Sequence, residues 1–152
     1  MRNKGLGVLA GLAAVLVAFS PALADTTPED AKDYRSAVMT ALRGHIGAAS
    51  MIVRGLVENR GQLLGHAEGL ASTANELTHV FPEGSNVGDS EALPAIWENP
   101  GEFAAAVERM RDATAAFEEA AAEGDQEAIG AAFRDVGMSC RGCHDNFRKS
   151  DD

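Results

Sequence analysis

Aromatic residues are scarce in this sequence: Phe, Trp and Tyr make up 5% of 152 residues, with one Trp and one Tyr. A core of that composition rests on Ala, Leu and Val, and side chains so small leave room for something bulky. Cysteine is limited to two residues near the C-terminus, which excludes a disulfide-dense scaffold. No stretch alternates apolar and polar residues with period two, so no strand is expected. Basic residues are outnumbered, with 13 Lys plus Arg against 23 Asp plus Glu and a formal net charge of -10. That balance argues against nucleic acid or an anionic membrane surface as a partner. The length suits one domain rather than two. Apolar residues at 45% suffice for a core, so wholesale disorder is excluded.

The first 24 residues read as a secretory signal peptide. Arg2 and Lys4 form a basic front, Leu6 to Phe19 is apolar, Pro21 breaks the run, and Ala22-Leu23-Ala24 is an A-x-A cleavage site. The apolar run is short for a membrane span and lacks a charged stop. Cleavage after Ala24 leaves a domain of residues 25–152, expected to be exported and without stable membrane insertion. The leader holds no acidic residue, so the mature domain is more acidic than the whole chain.

Four helices are predicted. Thr27 is a candidate cap with Pro28 at the first helical position and Asp30 three residues after the cap. Ala31, Tyr34, Val38, Leu42, Ala49, Val53 and Leu56 then recur at helical spacing, giving a helix over 28–57. Gly44 and Gly47 weaken its middle unless they admit a close neighbour. Leu63, Ala67, Leu70, Ala74 and Leu77 predict a second helix over 61–79. Residues 82–94 have loop composition. Asn99-Pro100 opens a third helix over 100–123, carried by Phe103, Val107, Met110, Thr114, Phe117 and Ala121. Gly124 stops it, Asp125 can cap the next, and Ile129, Phe133, Val136, Cys140, Cys143 and Phe147 give a fourth over 126–149. The expected fold class is all-α, an antiparallel up-down-up-down four-helix bundle. Gly and Ala on its inner faces leave space for a prosthetic group.

Cys140-Arg141-Gly142-Cys143-His144 is C-x-x-C-H, the attachment signature of c-type haem. Two thiols add across the porphyrin vinyl groups as thioethers. Their spacing lets both reach one edge of the ring from one helical turn, and His144 follows the second thiol, within reach of the iron. Three other readings compete. A thioredoxin-like dithiol belongs at a helix start after a strand. A zinc site wants further ligands nearby, and His45, His66 and His79 are spread along the chain. A disulfide would close a tiny loop and add little stability. Beside an export signal the haem reading is favoured, since haem is attached outside the cytoplasm. The expected cofactor is one haem c, held covalently through Cys140 and Cys143.

The opposite axial position then becomes the functional question. Met138 is too near His144 on the same helix to reach across the ring, and Met110 and Met51 read as ordinary core. Met39 lies near the start of helix one, level with the end of helix four in an antiparallel bundle. It can face the iron or simply pack. Arg35, one turn earlier, is a candidate donor to a haem propionate. Arg148 follows His144 by four and lies over the proximal pocket or caps its own helix dipole. Trp97 is expected to pin the long connection to the bundle, and His45, His66 and His79 to lie at the surface or its boundary.

These features resemble the class II c-type cytochromes, comprising cytochrome c prime and the low-spin cytochrome c-556 group. The likeness covers residues 25–152. It is carried by Tyr34-Arg35 with Met39, Gly44-His45-Ile46-Gly47, Leu93 through Trp97, Ala132-Phe133, Val136-Gly137, the haem motif and Phe147-Arg148. The resemblance implies a periplasmic haem protein with His144 as proximal ligand, Met39 on the distal side and Arg35 near a propionate. It allows a homodimer through the first two helices. No residue reads as catalytic for a substrate, so an enzyme is not expected. The first expectation is electron transfer through His144 and Met39, exchanging electrons with redox partner proteins in transient encounters. The alternative is a five-coordinate iron that binds nitric oxide or carbon monoxide at an open distal site. A dithiol redox protein without haem is the third.

Overall fold

The computed structural model describes residues 25–150. The expected signal peptide lies outside them. Five helices form: α1 Pro28–Val53, α2 Gln62–Glu76, α3 Ala95–Glu98, α4 Pro100–Glu123 and α5 Gln126–Phe147. The four long ones pack as a bundle. Among the described residues there is no sheet, only an isolated bridge between Ala92 and Arg148.

The helices run antiparallel because residues from opposite ends meet. Tyr34, early in α1, donates its hydroxyl to the Glu76 carboxylate at the end of α2. Phe81, just past α2, stacks edge-on against Phe103 at the start of α4, with ring centroids 4.8 Å apart. Phe103 in turn meets Phe147 at the end of α5 at 5.2 Å, and Phe117 meets Phe133 at 5.4 Å. The expected up-down-up-down bundle is therefore the observed one.

Local chemistry sets the helix ends. Thr27 Oγ1 accepts from the Asp30 amide at 3.1 Å, and Asp125 accepts from the Glu127 and Ala128 amides at 2.9 and 3.1 Å. Asn99, expected as a cap, makes no side-chain cap bond. Instead α3 runs almost directly into α4, and the Asn99 carbonyl accepts from Phe103 at 3.1 Å. The first helix stops at Val53 rather than 57. Gly55 turns left-handed at φ +71°, while its amide bonds to the Ile52 carbonyl at 2.9 Å and that of Leu56 to Met51 at 2.8 Å. This pair of bonds is a Schellman closure, and it leaves Leu56 60% exposed instead of continuing the apolar stripe. Tyr34 is likewise 56% exposed.

The core is built from small aliphatic residues. Ala49, Ala67, Leu70 and Ala74 are fully buried, joined by Phe117 and Val136. Helix α4 packs closely on both α2 and α5, and α2 on α1, whereas α1 and α5 barely touch. The bundle is thus open along one seam, between the helix that carries Met39 and the helix that carries both cysteines.

Candidate functional site

A cavity of about 660 Å³ fills that seam. Helix α1 contributes Met39, Leu42 and Ile46, α2 contributes Leu70, and α4 contributes Phe103, Val107 and Met110. Helix α5 contributes Cys140, Cys143, His144 and Phe147, so both cysteines and the histidine of the motif stand at one wall. Arg35 and Arg148 also line the cavity. All six residues singled out in the sequence are therefore brought together. The interior is largely hydrocarbon, while Lys32, Asp33, Ser36, Thr40 and Arg43 stand along α1 at its rim. The volume lies in the range of cofactor pockets, about 300–1,000 Å³.

The electrostatics of the cysteines separate the competing readings. Both thiols are free and half-buried. Burial pushes the Cys140 thiol above the ordinary range. Burial and the neighbouring charge of Cys140 do the same to Cys143, only partly opposed by Arg109. A dithiol exchange centre needs the reverse, a thiolate favoured by positive surroundings. The four-ligand zinc site that two cysteines would belong to is not assembled around them, since no group of three or more His, Cys, Asp or Glu gathers among the described residues. Two neutral thiols on an apolar wall, one turn apart and followed by an imidazole, fit a porphyrin edge.

His144 stands at the exposed side of the motif. Loss of water on its pocket side lowers its pKa, and the Arg148 charge adds to this, against smaller contributions from Asp145 and Glu91. Both effects favour the neutral imidazole, the form that ligates iron. Arg148 itself approaches Glu91 at 4.0 Å.

Arg35 is only 5% exposed and does more than the sequence suggests. One terminal nitrogen donates to the Val80 carbonyl at 3.3 Å and to Ser85 Oγ at 2.8 Å. The other donates to the Ser85 carbonyl at 2.9 Å and to Ser90 Oγ at 3.1 Å. Its guanidinium carbon sits 5.1 Å from the centre of the Phe81 ring. Arg35 therefore nails the long connection onto α1, and burial lowers its pKa without removing its charge. Lys149 closes the other end, its amide donating to the Glu91 carbonyl at 2.8 Å and its ammonium to Ser90 O at 2.7 Å. The anchoring role of Arg35 is missed in the sequence because its partners lie 45 to 55 residues away.

The methionines sort by place. Met39 is half-buried and packed against the core at the cavity wall opposite α5. Met110 is core as expected, and its sulfur accepts from Ser139 Oγ at 3.2 Å and lies 3.8 Å from Cys140 Sγ. Met51, expected in the core, is 48% exposed. It falls in the last turn of α1, where the Schellman closure turns the chain away. Trp97 pins the connection as expected, donating its indole N–H to the Phe81 carbonyl at 3.1 Å.

A four-helix bundle with C-x-x-C-H on the last helix, facing a cavity of cofactor size, is the arrangement that a c-type haem protein requires. The sequence matches the family described as Cytochrome C' over residues 30–148. It is 34% identical over 124 residues to cytochrome c' of Pararhodospirillum photometricum, covering 81% of this chain and 99% of that protein. It is 32% identical over 116 residues to cytochrome c-556 of Agrobacterium tumefaciens, covering 75% and 93% of the two chains. Among solved structures, a nitric oxide complex of a cytochrome c prime variant from Alcaligenes xylosoxidans superposes with a TM-score of 0.76 at 32% identity, over 82% of this chain and 98% of that one. The chain belongs to the cytochrome c' family. Members are electron and gas carriers rather than enzymes, and the two cysteines conform to the family's haem c attachment motif.

Proposed function

We propose that this chain is a periplasmic haem c protein that binds a small neutral gas, nitric oxide or carbon monoxide, on the α1 side of its cavity. This reverses the order of the two main sequence readings. The observation that carries it is the inner wall opposite the motif, where Met39, Leu42, Ile46 and Leu70 present hydrocarbon and one thioether. Such a wall disfavours anions and strongly hydrated ligands, which lose their hydrogen bonds on entry, and accepts a diatomic gas at little desolvation cost. Likeness to the nitric oxide complexes of cytochrome c prime from Alcaligenes xylosoxidans supports the same reading.

When bound, haem would supply a redox-active iron. Cys140 and Cys143 would hold it through their sulfurs. His144 would ligate the iron from the motif side, with burial and Arg148 favouring its neutral imidazole. Met39 packs against the core and acts as the gate of the distal side. Arg35 fixes residues 80–90 and, through its Nε–H, is available to a propionate. Export by the Ala24-cleaved leader brings the chain to the compartment where haem is attached. Among the described residues no helix is long and apolar enough to cross a membrane.

Electron transfer with Met39 as sixth ligand is the second reading, favoured by the thioether at the cavity wall. Optical spectra of the purified haem protein distinguish the two. High-spin ferric and ferrous spectra that shift on adding nitric oxide or carbon monoxide are expected, with little change in the unliganded spectrum of Met39→Ala. A low-spin spectrum with a sulfur-to-iron band that vanishes in Met39→Ala would instead establish His144 and Met39 as an axial pair.

A further inference from the structure

The cavity is not the sole place where metal-ligating side chains converge. His45 on α1 and His66 on α2 meet across the helix interface. Their Nδ1 atoms lie 3.3 Å apart, and their rings stand edge to face with centroids 5.5 Å apart. Both are half-buried, and neither lines the haem cavity. The glycine pattern explains how they fit. Gly69 lies directly under the His45 ring, where an added Cβ would come within 2.6 and 2.7 Å of Nε2 and Nδ1. By contrast, Gly44 and Gly47, which the sequence offers as close-approach glycines, have nothing within 4 Å. The space for this imidazole is made by one residue, and that residue is glycine.

We propose that His45 and His66 form a two-histidine Zn²⁺ site that clips α1 to α2. The separation of the two nitrogens, 3.3 Å in the hydrogen-bonded pair, accommodates this ion with little movement of either ring. Two imidazole nitrogens bound at about 2.0–2.1 Å in tetrahedral geometry lie about 3.3–3.4 Å apart. A right-angled arrangement, as in square-planar Cu²⁺ or Ni²⁺ sites, would require about 2.9 Å. No third His, Cys, Asp or Glu joins them among the described residues, so water completes the shell. Without metal, one ring donates its Nδ1 proton to the other. Coordination breaks that N–H bond, forms two N–Zn bonds and returns the proton to Nε2 of the same ring. Binding to the neutral pair is therefore proton-neutral, and both rings end as Nε2–H tautomers.

The test is calorimetric titration of the haem-loaded protein with zinc chloride, together with anomalous diffraction at the zinc edge. The expected result is one Zn²⁺ per chain, with an anomalous peak between the two Nδ1 atoms. Affinity should fall about tenfold or more in His45→Gln and in His66→Gln. Gly69→Ala should lose as much while keeping both ligands, because the methyl expels the His45 ring. Its helix should be no less stable, since Ala is a better helix former than Gly. His79→Gln should bind as the unaltered protein does. Absence of binding, a peak elsewhere, or undiminished affinity in any of the first three variants would overturn the proposal.

Discussion

Replacing Arg35 by Met removes the guanidinium while keeping a side chain of comparable reach. Four buried or partly buried acceptors then lose their donor: Val80 O, Ser85 O, Ser85 Oγ and Ser90 Oγ. Hydrogen bonds from a charged donor contribute about 1.5–3 kcal/mol each, but the native state also bears the cost of burying the cation, several kcal/mol. The serine hydroxyls can turn toward other partners, as Ser85 Oγ already donates to Pro82 O at 2.8 Å. A net loss of about 3 kcal/mol is expected, a large share of the usual 5–15 kcal/mol. The corresponding fall in Tm is about 10 °C. Thermal unfolding of the haem-loaded protein followed by far-UV circular dichroism measures it, and amide exchange locates it. Protection should be lost first around Ser85 and Ser90, while α4 and α5 remain protected. Arg35→Lys should recover less than half, because one ammonium cannot span both serines. A loss under about 1 kcal/mol, with exchange around Ser85 unchanged, would refute the anchoring argument.

Three further outcomes follow from other parts of the molecule. Gly124 ends α4 at φ +79°, so Gly124→Ala should destabilise by about 1 kcal/mol in urea unfolding, against the gain Ala gives inside helices. Phe117 is fully buried, and Phe117→Ala should cost about 3–5 kcal/mol in the same assay. Asp89 pairs with Lys32 at 2.7 Å, which holds its carboxyl below the ordinary range. The pair therefore contributes above the unfolded carboxylate pKa, and its contribution is lost as pH falls through the depressed folded value. An NMR titration should find the Asp89 midpoint low, and Lys32→Met should raise it, with a backbone hydrogen bond at Asp89 still holding it down in part.

The parts of this fold that were legible in the sequence are those written in local chemistry. Period-3.6 stripes located all four long helices, and Thr27, Asp125 and Gly124 marked three of their ends because a cap bonds within a few residues. The end of α1 was misplaced because Leu56 continues the apolar rhythm while Gly55 breaks the backbone. The short α3 was hidden by its length, too brief for any periodicity to show. The haem motif was legible because its chemistry demands a fixed spacing. The anchoring of residues 80–90 by Arg35 and the meeting of His45 with His66 were not, since both depend on helices brought together from distant stretches. Only the fold shows that Gly69, rather than Gly44 or Gly47, makes room for a neighbour.

Gas binding and electron transfer alike require a porphyrin joined to α5 and filling the seam between α1 and α5. Intact-mass measurement of protein made in cells able to attach haem tests this most directly. The expected mass is the polypeptide plus one haem, retained after acid–acetone extraction, with no covalent haem when Cys140 and Cys143 are both changed to Ala. A bare polypeptide mass from such cells, with both thiols open to alkylation, would contradict it.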